Sequence, residues 1–83
     1  MIDTIRAVIR DHARLSIDVA GLDENTDLYR AGMTSHASVN LMLALEAAFD
    51  IEFPERMLNR RIFQSIAAIR GALDELKAEV RSA

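Results

Sequence analysis

The residues able to do chemistry are few, and they gather in the stretch AGMTSHASVNLMLALE, Ala31 to Glu46. Ser35 stands beside His36, a hydroxyl next to an imidazole, as a nucleophile and its base would be. On a helix, however, adjacent side chains point about 100° apart, so the two cannot cooperate. His12 is the only other histidine, and its expected role is a partly buried or capping side chain. No Ser-His-Asp set follows from the spacing, and two histidines without cysteine make no metal site unaided. Asp23, Asn25 and Asp27 take positions 1, 3 and 5 of a calcium loop. Leu28 stands where that loop needs a glycine, and Thr34 where it needs a bidentate glutamate, so turn formation accounts for them better.

The arginines offer a second chemistry. Arg6, Arg10 and Arg14 share one face of a first helix, and Arg56, Arg60 and Arg61 cluster further on. Thirteen acids are interspersed through the chain, no aromatic residue sits among these arginines for base stacking, and the net charge is −3. Nucleic acid is therefore not an expected partner, and the arginines read as solvated faces with local ion pairs.

Length bounds the rest. Eighty-three residues make one domain, 1–83, which buries only about 60% of the surface its unfolded chain exposes, so stability should be modest. Without cysteine there are no disulfides. Charges interrupt every apolar run before membrane-spanning length, and no signal-peptide pattern opens the chain. The expectation is a cytoplasmic monomer with no membrane partner.

Helical periodicity has to position these residues. Ile2, Ile5, Ile9 and Ala13 form one stripe of a first helix, with Asp3 in its first turn and Arg14 in its last. From Leu15 to Thr34 the period fails, and two glycines with Asp-Glu-Asn-Thr-Asp read as a long loop, often a functional feature. A second helix is expected over Ser35–Phe49, buried on several sides because Val39, Leu41, Met42, Leu43, Leu45 and Phe49 leave few polar positions. Leu45 and Phe49, one turn apart, are expected in the core. Pro54 follows an extended link and opens a short third helix over Glu55–Arg61. Ile66, Ile69, Leu73, Leu76 and Val80 set a last helix with Ser65 as its N-cap. The fold class is all-α: a small four-helix bundle, three main helices plus one short one, with a long first loop.

Ser35 then falls where the second helix begins. Its plain role there is an N-cap, a role Thr34 can also take. The same place offers unpaired N–H donors and the positive end of the helix dipole, which suits a phosphate ester. Three stretches carry a resemblance: TDLYRAGMTS before the serine, SVNLMLALEAAFDIEFPE after it, and FQSIAAI at the last helix. Together they resemble the acyl carrier protein family over nearly the whole chain. That resemblance implies that Ser35 is the attachment residue for 4′-phosphopantetheine, transferred from coenzyme A by a phosphopantetheinyl transferase. The arm's thiol would hold cargo as a thioester, which fits a chain with no cysteine of its own. The domain itself would catalyse nothing and would present its cargo at high effective concentration.

Departures from the family set the expected partners. The family commonly reads Asp-Ser-Leu where this chain has Thr34-Ser35-His36, and its second helix is often strongly acidic. Here the outward stretch offers Ala37, Asn40, Ala47 and Ala48, with Glu46 the main acid, so steering by charge should be weak. The expected docking residues are Met33, His36, Val39, Asn40, Leu43 and Glu46. They point to a dedicated acyl or amino acid ligase and a downstream transferase rather than to ordinary fatty-acid synthesis. An aminoacyl cargo on a free-standing carrier is the favoured expectation. The alternatives are an unmodified helical interaction module and a small nucleic-acid binder.

Overall fold

Three stretches become helices, α1 (Ile2–His12), α2 (Ser35–Phe49) and α3 (Ile66–Ser82), in a computed structural model. It describes residues 1–15 and 18–82, with residues 20 and 78–82 through their backbone only. No strand occurs among the described residues, and none of their helices is long and apolar enough to cross a membrane.

Helix α1 is amphipathic as its spacing requires: Ile5 and Ile9 are fully buried, and Ala13 extends the stripe past the helix end. Arg14 lies beyond that end in the left-handed region, φ +53°, so Arg10 and His12 occupy the last turn instead. Helix α1 packs on both α2 and α3. In α3, the Ala68 N–H donates to Ser65 Oγ at 3.1 Å, the cap expected from the sequence. Ile66, Ile69, Leu73 and Leu76 turn inward. The side chain of Val80 lies outside the described residues.

Helix α2 departs from expectation. Only Ala37, Leu41 and Leu45, spaced by four, are buried. Val39 and Leu43 are 51% and 53% exposed, so the helix is buried along one stripe and carries its surplus apolar residues into solvent. Phe49 is half-buried, with the Lys77 ammonium 5.3 Å from its ring centroid, and so belongs to the edge of the core rather than its centre.

The short fourth helix does not form. Glu55–Met57 is a single 3₁₀ turn with Pro54 just before it, and Leu58 leaves helical geometry at φ −85°, ψ +67°. Asn59 competes for the backbone: its side-chain amide donates to the Arg56 carbonyl (3.2 Å), and its Oδ1 accepts from the Ile62 N–H (3.3 Å). Beyond it, Phe63 meets Phe53 edge to face, ring centroids 5.3 Å apart.

The long connection from α1 to α2 is held by borrowed partners. The Arg6 guanidinium donates to the carbonyls of Val19 (3.0 Å) and Leu22 (2.9 Å), so this arginine is a clamp rather than a solvated charge. Leu28, fully buried, donates its N–H to the Gln64 carbonyl (2.7 Å), and the Ala67 N–H donates to the Glu24 carbonyl (2.9 Å). Asp23 and Asp27 spend carboxylate oxygens on the N–H groups of Asn25 (2.8 Å) and Tyr29 (2.9 Å), the turn role expected of them. Among the described residues, the ion pairs Arg10–Asp11, Arg56–Glu75 and Arg70–Glu24 are exposed and contribute little.

Burial sets the expected order of two stability losses. Leu45→Ala should cost about 2–5 kcal/mol by leaving a cavity, and Phe49→Ala less, about 1–3 kcal/mol, because its ring sits at the edge of the core and is only partly buried. Urea denaturation of both variants checks the order; equal losses would place Phe49 in the core after all. Arg6→Met keeps the apolar stem and removes both charged hydrogen bonds, so it should cost about 1.5–3 kcal/mol. Amide exchange at Gly21 and Leu22, whose N–H groups bond within the clamped turn, should rise in the same variant, and unchanged exchange there would deny the clamp.

Candidate functional site

The connection enters α2 through four residues with separate tasks. Gly32 turns the chain at φ +114°, a region a side chain would strain. Met33 is 3% exposed and donates its N–H to the Leu28 carbonyl (3.0 Å), which anchors the turn to the core. Thr34 is extended, and its Oγ1 accepts from the Ala37 N–H (3.0 Å), so Thr34 is the N-cap. Ser35 is therefore the first helical residue, exposed, and its hydroxyl has no hydrogen-bond partner among the described residues.

That arrangement settles the capping alternative for Ser35: its neighbour has taken the role. The first turn of α2 holds no acidic residue, so nothing opposes an anion on the Ser35 oxygen, and the helix dipole favours one. The Ser38 hydroxyl, one turn on, is committed inward and donates to the Ser35 carbonyl at 2.6 Å. Two serines sit close together, and only one presents a free hydroxyl.

A groove of about 400 Å³ runs from Ser35 along α2, with Val39 and Met42 on one wall and Leu58 and Phe63 on the other. Arg60 is the only charged residue lining it among the described residues, and its guanidinium lies 4.1 Å from the ring centroid of Tyr29, also on the groove. On the far side of α2, His36 and Asn40 are exposed beside a smaller recess of about 240 Å³ shared with Arg14 and Thr34.

The expected docking residues divide. His36, Val39, Asn40 and Leu43 lie on the solvent face of α2, as do Ala47 and Ala48. Met33 does not, because its side chain anchors the turn, and Ala37, expected outward, is buried. Glu46 is turned back onto the chain: its Oε2 accepts from the Phe53 N–H (2.8 Å), and its carbonyl accepts from the Ile51 N–H (3.1 Å). His12, expected to be partly buried or capping, is exposed. No group of three or more His, Asp or Glu residues set to hold a metal occurs among the described residues. Tyr29, Arg60 and Phe63 give no signal in the sequence. Tyr29 stands far from Arg60 and Phe63 in the chain and meets them only when the connection folds back, so no spacing betrays the group.

Known proteins share this architecture. The sequence model described as a phosphopantetheine attachment site matches residues 3–73. The aminoacyl carrier protein of Agrobacterium fabrum (strain C58 / ATCC 33970) is 50% identical over 66 residues, 80% of each chain. A crystal structure of an engineered Bradyrhizobium japonicum glycine:[carrier protein] ligase, complexed with carrier protein from Agrobacterium tumefaciens and AMP, contains a similar chain. The match has TM-score 0.87 and 46% identity, covering 89% of this chain and 99% of that one. The Bradyrhizobium japonicum glycine:[carrier protein] ligase complexed with glycylated carrier protein gives TM-score 0.73 and 28% identity, covering 86% and 95%. Matched to that attachment-site model across most of its length, and half identical to a carrier, the chain belongs to the phosphopantetheine-attachment family of carrier proteins.

Proposed function

We propose that Ser35 is the residue that carries 4′-phosphopantetheine and that the arm holds an aminoacyl group. The observation that carries this reading is the free, exposed Ser35 hydroxyl at the first position of α2, with Thr34 capping in its place. In the transfer, Ser35 Oγ forms a bond to the β-phosphorus of coenzyme A, adenosine 3′,5′-bisphosphate leaves, and the hydroxyl proton passes to the transferase or solvent. The chain's own part is to present the oxygen, uncrowded by acids, at the positive end of a helix. Once attached, the group supplies the thiol that this chain lacks.

Aminoacyl cargo is supported by the relatives, one an aminoacyl carrier protein and others crystallised with a glycine ligase. The groove beside Ser35 is an open channel rather than an enclosed cavity, which suits a short cargo better than a long acyl chain. A separate ligase activates the amino acid, and a phosphopantetheinyl transferase installs the arm. The carrier contributes no catalytic group and works as a cytoplasmic monomer. Docking on the ligase uses Val39 and Leu43, one turn apart, together with Leu58 across the groove, 48% exposed. Glu46, held by the Phe53 N–H, plays no part in it.

Coexpression with a broad-specificity phosphopantetheinyl transferase should add the mass of one phosphopantetheine, and Ser35→Ala should abolish the gain with the circular dichroism spectrum unchanged. Modification that persists in that variant, or that moves to Ser38, sinks the assignment; an unmodified parent chain returns the protein to the class of plain interaction modules. With glycine and its ligase as the first pairing tried, Leu43→Asp should raise KM for the carrier about tenfold, equivalent to ~1.4 kcal/mol. Because Leu43 is exposed, stability should change by no more than about 0.5 kcal/mol. Loading that ignores Leu43→Asp and falls steeply with salt would put the recognition in charge instead.

A further inference from the structure

We infer that Arg60, seated on the ring of Tyr29, is a positioning residue for the phosphodiester at Ser35, and that it lays the arm into the groove between α2 and residues 58–63. The inference rests on Ser35 as the attachment residue and adds a resting place for the attached group. Ser35 and Arg60 line the same groove, and Arg60 is its only charged lining residue among the described residues. Arg60 also forms no ion pair among the described residues. The chain as a whole carries a net charge of −3, whereas the charge on the described lining of this groove is positive. A phosphodiester holds its negative charge throughout the working pH range and is the nearest anion that the arm provides.

The seat on Tyr29 gives the cation a defined place. With the guanidinium carbon 4.1 Å from the ring centroid, the stack holds the side chain and leaves N–H donors on the guanidinium rim for phosphate oxygens. A flexible arginine would lose more rotamer freedom on meeting the phosphate; this one has lost part of it already. Tyr29 is itself fixed, because its N–H donates to Asp27 Oδ1 (2.9 Å) and its side chain packs on the core.

The rest of the groove matches the portion of the arm beyond the phosphate. The first segment there is a branched dimethyl carbon, and Val39, Met42 and Phe63 supply apolar wall. Two amides come next. Ser38 has given its proton to the Ser35 carbonyl, so its oxygen remains an acceptor for an amide N–H. A volume of about 400 Å³ falls within the range of small-molecule sites, about 300–1,000 Å³.

The test compares the unmodified chain with the chain carrying 4′-phosphopantetheine from coenzyme A, thiol unloaded, by nuclear magnetic resonance, after intact mass has shown complete modification. In the parent chain, resonances of Val39, Met42 and Phe63 should shift on modification, beyond the immediate neighbours of Ser35. In Arg60→Ala and in Tyr29→Leu those changes should fall about two- to fivefold, the effect expected for losing one exposed charge contact. Tyr29→Phe, which keeps the ring, should behave as the parent. Parental shift changes in fully modified Arg60→Ala, or none at the groove in the modified parent, overturn the inference while leaving Ser35 as the attachment residue. If Arg60→Ala resists the transferase, Tyr29→Leu, which keeps the charge and removes its seat, decides alone. A parent chain that gains no mass overturns the carrier reading and this inference together.

Discussion

The Arg6 guanidinium holds the carbonyls of Val19 and Leu22, and the placement of everything between there and α2 rests on that hold. A connection whose described part holds one short 3₁₀ turn, Val19–Gly21, still has to satisfy its backbone polar groups. Here α1 supplies one end of the solution through Arg6, and the start of α3 supplies the other through the Gln64 carbonyl and the Ala67 N–H. Leu22 and Leu28 are then drawn into the core on either side of the Asx turns. Only after the connection is fixed at both ends can Gly32 turn and Met33 anchor, so that Thr34 caps α2 and leaves Ser35 free. The Ser35 hydroxyl is thus placed by contacts that α1 and the entry to α3 make with the connection, although it belongs to α2.

Helix α2 shows a division of labour that its composition conceals. Ala37, Leu41 and Leu45 hold it to the core, while Val39 and Leu43 are left in water. Its sole acid, Glu46, is drawn inward to the Phe53 N–H and fixes the turn in which Asp50 adopts φ +52°, a conformation short polar side chains tolerate. The solvent face of α2 therefore carries no carboxylate between Ser35 and Phe49 that is free of the fold's own needs.

What could be read from the sequence was whatever repeats locally. The stripes of α1 and α3, the Ser65 cap and the Asx turns each depend on neighbours within a few residues, and each is found as spacing predicts. Helix α2 defeated the same reasoning because a run that is apolar all round fits two situations, burial on several sides or one buried face and one docking face. The Glu55–Arg61 segment has helical composition, but the side-chain bonds of Asn59 compete with the helix, and composition does not weigh that competition. Arg6 looked like any exposed arginine until the carbonyls thirteen and sixteen residues away were brought to it. Ser35, the serine proposed for attachment, stands out in the sequence through the resemblance and its helix start. The groove beside it was not, because Tyr29 and Arg60 become neighbours only in three dimensions.

In the proposed docking, the apolar trio Val39, Leu43 and Leu58 sets how long an encounter lasts. Each is about half exposed, and fully burying a side chain of this kind yields about 1.5–3 kcal/mol, so covering the remaining halves yields about 2–4 kcal/mol in total. Bringing two proteins together costs about 4–15 kcal/mol before any contact is counted. The patch can orient a partner, but it cannot retain one. In that docking the arm lying in the partner's active site supplies a further part, and that part vanishes as soon as the arm is withdrawn. Residence time on each enzyme is then governed by the state of the thioester end, so a carrier with this surface is released by the completion of the chemistry it delivers.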